Sequence, residues 1–555
     1  MPMSANATLR KALIAALVCA FALVLAAFCL PAAAQAEDGA PTATGQLTVN
    51  ASDGAAADFA AYRVFAADVS DGMGHKIAAN IAWASADAET ATVAAIKEAD
   101  GSYAGATAQD AADWFASAAT NDTSAFNVAV TALAKNLLAS GAEPTNLTAG
   151  TTATLAQGYW LVASADSAVG TDQAGTAPVL ALVGGSAATA TAKAAVPTVG
   201  KQVLEDATSA WQAQADATVG DSLSWRLAAT LPAGIAGYSS YGITFHDTLS
   251  AGLAEPKDVH VYVAAPAADD AAAFWATGDT PGDEWTELDA SSFTTAYTAT
   301  GDGATFDVTI GDLISAMKDA GLDFAGGARI AVVYDAPLTA SAAQGSTEGN
   351  PNEVTLRYPK APYSDAFAET QPQSAIAYTW ALQITKRDDA TDAPLAGAVL
   401  RVADDQGRHL SQDGTWTADD ATVTTDANGQ VTAAGVDSGT YTVEEVQAPV
   451  GYALASGAFT VALSVDLDPS HIVHAQIQAD VKAAAPLRAD SFDAAAGQAN
   501  VSLLDSATSS SQGGGIASLL PKTGDRFYGI LIALAALAGA IVLLSKRRGK
   551  GASRS

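Results

Sequence analysis

The sequence predicts a mostly-β chain of three tandem domains lying between two apolar ends. Three observations carry that expectation. Short runs of period-two alternation recur through the chain, separated by Gly, Pro and Asn turn clusters. The span between the apolar ends, about 490 residues, is enough for roughly three domains. Two lysines, Lys201 and Lys386, stand at equivalent places, late in the opening strand of a sandwich.

The ends come first because they delimit the rest. Arg10 and Lys11 precede an apolar stretch from Ala12 to Leu30, and Ala34-Gln35-Ala36 supplies a small-x-small cleavage pattern. Residues 1–36 are therefore expected to be a signal peptide, with Glu37 opening the exported chain. At the other end, Leu520-Pro521-Lys522-Thr523-Gly524 is followed by an apolar run, Phe527 to Leu544, and then by Lys546, Arg547, Arg548, Lys550 and Arg554. The run is long enough to cross a bilayer as a helix, and the basic cluster stays on the cytoplasmic side. The order of motif, then span and basic tail together (525–555), resembles the cell-wall sorting signal of Gram-positive surface proteins. That resemblance implies cleavage between Thr523 and Gly524 by a sortase, and transfer of the Thr523 carbonyl to an amine.

Composition narrows the function. Cys19 and Cys29 are the two cysteines, and both precede the cleavage site, so the exported chain has no disulfide available. The chain carries 27 basic and 59 acidic residues, a net charge of −32. That excludes a nucleic-acid-binding role, which needs a basic surface, and fits a self-repelling exported protein.

Residues 37–195 read as a β-rich domain with a helical insertion. Gln46–Asn50, Phe59–Phe65, Gly158–Val162 and Pro178–Val183 are strand-like. Phe126, Val130, Leu133 and Leu137 fall on one helical face, with Gly141 as the stop. Residues 196–378 form a middle unit, opening on a Pro/Gly-punctuated strand through Lys201. Its further strands are Ile243–Leu249, Ile330–Tyr334 and Asn352–Tyr358. Residues 379–508 read as a β-sandwich of short strands, with turns such as Asp426-Ala427-Asn428-Gly429. Residues 509–519 lie in a Ser/Gly-rich linker before the 520–524 motif.

A lysine at an inward strand position is costly unless its charge is lost, and amide formation removes it permanently. The third domain carries Ile384-Thr385-Lys386, Pro394-Leu395-Ala396-Gly397-Ala398, and Tyr441-Thr442-Val443-Glu444-Glu445-Val446-Gln447-Ala448-Pro449-Val450-Gly451-Tyr452. These segments resemble the Cna B-type repeat of Gram-positive adhesins and pilins. The resemblance implies an intramolecular isopeptide bond with Lys386 as nucleophile and Glu445 as catalytic acid. Asp505, in Val501-Ser502-Leu503-Leu504-Asp505, is the acceptor, with Asn500 as the alternative. Glu444 has the opposite strand parity.

The middle domain resembles that of sortase-assembled shaft pilins, through Pro197-x-Val199-x-Lys201, Phe245-His246-Asp247-Thr248-Leu249 and Asn352-x-Val354-x-Leu356-x-Tyr358. It implies Lys201 as nucleophile, Asp247 as catalyst and Asn352 as acceptor, with Asn350 sharing its parity. The protonated acid is expected to donate to the amide oxygen while the neutral amine attacks. For a shaft subunit the resemblance also implies an acceptor lysine just upstream of the middle domain, which Lys193 occupies. Tyr358-Pro359-Lys360 matches the usual acceptor motif but stands at the far end of that domain, leaving Lys360 as an alternative.

The whole reading is a fimbrial shaft subunit with two Ig-like, Cna-type sandwiches, polymerised by a pilin-type sortase and anchored to peptidoglycan by a housekeeping one. Its partners would be identical subunits, minor pilins and an unidentified host receptor in adhesion. A peptidoglycan-anchored monomeric adhesin is the alternative. No cofactor or metal is expected: His471 and His474, three apart, point to opposite faces of a strand.

Overall fold

The computed structural model describes residues 43–508 except 52–57, 73–74, 165–173, 193–195, 233–234, 236–237, 268–273, 346–347 and 473–476. The expected signal peptide and sorting motif, the apolar C-terminal run, Lys193 and His474 lie outside the described residues. Among the described residues no helix is long and apolar enough to cross a membrane. The fold is mostly β and multidomain, as the alternating runs predict.

The N-terminal unit has two sheets. In the smaller, Thr44–Ala51 lies between Thr152–Ala156, antiparallel, and Ala188–Ala192, parallel. In the larger, Asp58–Gly72 pairs with His75–Trp83, Thr145–Thr148 and Gly158–Ser164, and Val179–Val183 completes the sheet. Leu47, Val49, Phe59, Leu155 and Trp160 pack in one core; Val64, Phe65, Ile96, Phe115 and Leu133 pack in another, which includes the helices.

The helical insertion is three helices rather than one: Ala86–Ala99, Ala108–Asn121 and Thr123–Ala139. Each begins at a side-chain cap, Ser85, Thr107 or Asp122; Thr107 and Asp110 form a reciprocal capping box. The predicted face lies on the third helix, with Val130, Leu133 and Leu137 buried. Gly141 follows at a φ of 76°, a conformation that suits glycine after a helix.

The middle unit is a sandwich of two sheets. One runs in the order Ala210–Gln212, Thr198–Glu205, Ser224–Thr230, Arg329–Asp335, Lys257–Ala264, Trp285–Glu287. The other runs Gln214–Asp216, Gln373–Tyr378, Asn350–Pro359, Ile243–Ser250, Gly303–Ile310, Thr294–Thr300. Trp225, Leu227, Phe245, Val332, Leu356 and their neighbours fill the space between. The period-two burial of Asn350–Pro359 sends 350, 352, 354, 356 and 358 inward. Asn352 is not on the closing strand, since Gln373–Tyr378 follows and pairs with it.

The third unit closes differently. Its opening strand, Trp380–Asp388, pairs in parallel with its last, Gln498–Asp505, bringing Lys386 opposite Leu503 and Asp388 opposite Asp505. Gln430–Val436 and Leu487–Asp493 flank this pair. The facing sheet contains Val399–Ala403, Gly439–Gln447, Ala458–Asp466 and Gln478–Ala483.

Candidate crosslinking sites

Strand parity determines which side chains enter the middle sandwich. Lys201 projects from the first sheet, and its amine is fully shielded from solvent. Asp247 and Asn352 project from the second sheet, and both are wholly buried. They sit on adjacent antiparallel strands, Asp247 opposite Val354 and Asn352 opposite Leu249, so they are diagonal neighbours on one face. Lys201 and Asp247 therefore meet across the core, and Tyr334 links both of them to Asn352.

Lys201 Nζ donates to Asp247 Oδ1 and, at 3.1 Å, to the hydroxyl of Tyr334. The rings of Trp225 and Tyr334 each lie 5.5 Å from the amine. Burial pulls the Lys201 pKa down to about 8 against the opposing pull of Asp247. Burial also pushes the Asp247 pKa up, against stabilisation by Lys201 and Tyr334. These shifts bring the amine and acid towards the neutral pair that nucleophilic attack needs.

One feature departs from the expected arrangement. Among the described residues Asp247 makes no hydrogen bond to Asn352; Tyr334 stands between them. The Tyr334 hydroxyl donates to Asp247 Oδ2 and accepts from Asn352 Nδ2 at 2.7 Å, while Asn352 Oδ1 accepts no hydrogen bond. Direct donation from the acid to the amide oxygen is therefore not the geometry present. Sequence reasoning does not find Tyr334: residues 329–334 are buried on both faces of their strand, so parity gives no signal there.

The alternative acceptor is committed elsewhere. Asn350 Nδ2 donates to the carbonyls of Ala343 and Ala377, at 3.0 and 3.1 Å, and its Oδ1 accepts from Ala343 N–H at 2.8 Å. It fastens a loop. His246, next to Asp247, faces out and meets Asp307 at 2.6 Å.

The third unit repeats the theme with a carboxyl acceptor. The Lys386, Glu445 and Asp505 side chains have no exposure. Lys386 Nζ donates to Asp505 Oδ1 and lies 3.0 Å from Glu445 Oε1. Glu445 reaches across from the facing sheet, and its other oxygen accepts from Ala455 N–H at 2.7 Å. Burial pushes the Asp505 pKa up to about 6; Lys386 opposes this and the neighbouring Glu445 adds to it. Asn500 faces away and bonds Gln498 and Ser491. Glu444, of opposite parity, pairs with Arg401 at 2.6 Å.

Lys360 is half-buried at the end of its strand, and its carbonyl accepts from Gly175 N–H. His471 lies beside Asp468 at 3.4 Å on the surface, and no metal-ligand cluster occurs among the described residues.

Residues 381–474 match the SpaA prealbumin-like fold domain. The matched segment lies within the third unit. It contains Lys386 and Glu445, whereas Asp505 lies beyond the matched segment. Over 127 residues the chain is 28% identical to the trypsin-resistant surface T6 protein of Streptococcus pyogenes serotype M6, matching 20% of this chain and 22% of that protein. The match thus spans about a fifth of that relative's length. Among solved structures, the T6 backbone pilin of the same serotype is 16% identical, covering 84% of this chain and 99% of its own, at a TM-score of 0.48. The major pilin SpaA of Corynebacterium diphtheriae is 14% identical over 83% of this chain and 100% of its own, at 0.41. The solved structures similar to this chain are major or backbone pilins of Gram-positive bacteria.

Proposed function

We propose that this chain is the structural subunit of a covalently polymerised surface pilus, held by two self-formed isopeptide bonds. The observation that carries the reading is the placement of two lysines, each with its side chain fully buried against a carboxyl group in a sandwich core, in a chain whose two cysteines, Cys19 and Cys29, both precede residue 37. A permanent buried ion pair is a poor stabiliser, because desolvation offsets its attraction. Conversion to an amide removes both charges.

Lys201 forms the Nζ–Cγ bond with Asn352 and ammonia leaves. Lys386 forms the same bond with Asp505 and water leaves. Glu445 holds the second amine and shares a proton with the acceptor carboxyl. Each reaction happens once per molecule, so the chain shows no turnover. The T6 and SpaA proteins are described as backbone and major pilins, the latter as having stabilising isopeptide bonds.

Polymerisation uses the tail. A pilin-type sortase takes Thr523 and joins it to Lys193 of the next subunit; a housekeeping sortase joins the final subunit to peptidoglycan. Host adhesion follows from display on the surface. Co-expression of the full chain with a pilin-type sortase tests this. A ladder of high-mass species lost on Lys193→Ala is the expected result. A ladder that survives Lys193→Ala but not Lys360→Ala moves the acceptor, and a single band under all conditions supports the wall-anchored monomer instead.

A further inference from the structure

The Tyr334 hydroxyl touches every reacting group of the middle site. It accepts from Lys201 Nζ at 3.1 Å and from Asn352 Nδ2 at 2.7 Å, and it donates to Asp247 Oδ2. One proton donated and two accepted use the full bonding capacity of a hydroxyl. Nothing else among the described residues connects the Asp247 carboxyl to the Asn352 amide by hydrogen bonds. The ring is fixed by the core: Tyr334 is fully buried, and Phe306 packs edge-on at 5.3 Å between centroids.

We propose that Tyr334 is a catalytic residue of the Lys201–Asn352 ligation, relaying a proton from Asp247 to the leaving nitrogen of Asn352. This rests on the crosslink assigned above and deepens it. The reaction has to move one proton from the attacking amine to the departing one. Lys201 Nζ, as neutral amine, bonds to Asn352 Cγ, and the carbonyl π pair moves to Oδ1. Asp247, protonated at the start, passes its proton to the Tyr334 oxygen as Tyr334 passes its own to Nδ2. The vacated Asp247 carboxylate then takes a proton from Nζ. The Cγ–Nδ2 bond breaks with its pair on nitrogen, Oδ1 re-forms the carbonyl, and ammonia departs. Asp247 and Tyr334 end as they began, and the net transfer is one proton from Nζ to Nδ2. Before transfer the Tyr334 hydroxyl proton turns from Asp247 Oδ2 to Nδ2 and the Asp247 proton faces the Tyr334 oxygen, while Nδ2, made pyramidal by the addition of Nζ, presents its lone pair to that hydroxyl in place of an N–H.

Tyr334→Phe keeps the ring and deletes the relay. The full chain, wild type or variant, is made by cell-free synthesis with a pulse of labelled amino acid. Samples are digested, and the Lys201–Asn352 crosslinked peptide is quantified by mass spectrometry over time. We expect crosslinking about a hundredfold slower in Tyr334→Phe, the scale of a lost general acid. Crosslinking at the wild-type rate overturns the relay. Should the variant fail to fold, judged by far-UV dichroism and trypsin resistance, 3,5-difluorotyrosine at position 334 keeps shape and hydroxyl while making the phenol more acidic. The relay then predicts a displaced rate–pH profile, and an unchanged profile overturns it. Absence of the crosslinked peptide from the wild type itself overturns the underlying bond assignment, a different failure from a bonded wild type with an equally fast Tyr334→Phe.

Discussion

Asp505 shows how a single environment sets reactivity. Its carboxyl must stay protonated for water to leave, and burial raises its pKa to about 6. Asp505→Asn should still crosslink, releasing ammonia instead. Glu445→Gln removes the carboxylate beside the amine and should leave residues 386 and 505 unjoined. Much of this was legible in sequence. The late positions of Lys201 and Lys386 in their opening strands pointed them inward and parity separated Glu445 from Glu444, whereas Asp247, Asn352 and Asp505 were legible through the resemblance of their motifs. Parity could not rank Asn350 against Asn352, since both point inward; only the Ala343 and Ala377 carbonyls around Asn350 distinguish them. Nor could it reveal Tyr334, whose partners come from both sheets.

Strands and helices differ in how openly they were written. The strands were recognisable because β-branched and aromatic residues alternate in short runs. The helices Ala86–Ala99 and Ala108–Asn121 were not, because their buried faces are mostly alanine and leave no bulky apolar stripe. Element pairing also decides what each crosslink does under load. In the third unit the opening and closing strands are parallel neighbours, so a pull on the two ends shears them directly. The proposed Lys386–Asp505 bond would hold that pair. In the middle unit the strand Gln373–Tyr378 lies outside the 201–352 loop, so the segment after Asn352 remains extensible. Force spectroscopy of the full chain should show no extension from residues 202–351 or 387–504, but a short release from residues 353–378. Each closed loop should also add roughly 5 kcal/mol against unfolding, by analogy with disulfide loop closure. Glu445→Gln is expected to lose about that much in denaturant titration.

Across the whole molecule the units are fastened by details that no periodicity reveals. Tyr363, from the loop after Pro359, enters the N-terminal core and exchanges hydrogen bonds with the Ser164 backbone. Between the middle and third units, Asp216 accepts from the Trp380 indole at 2.6 Å and from Ser438 N–H at 3.1 Å. Arg408 reaches Asp221 at 2.9 Å, and Val219 N–H donates to Gly435. Burial, with the repulsion of neighbouring carboxylates, pushes Glu205 up to about 8 and Asp437 up to about 10, and burial raises Asp216. The folded chain thus retains protons that the unfolded chain releases near the ordinary carboxyl range, about 4. Stability from this seam is greatest at the low end of that window and declines as pH rises through about 8 to 10. The denaturant midpoint should fall between pH 6 and pH 9.5, and Asp437→Asn should shrink the fall. An identical fall in the variant would show that the seam is not its source.

The central claim is that two buried lysines become amides, and the intact mass of the purified full chain reads that directly. The account predicts a deficit of about 17 Da from ammonia and about 18 Da from water relative to the processed sequence, each the small molecule released on amide formation. Lys201→Ala should restore the first and Lys386→Ala the second. A wild-type mass equal to the sequence mass, with both lysines carrying free amines, would contradict it.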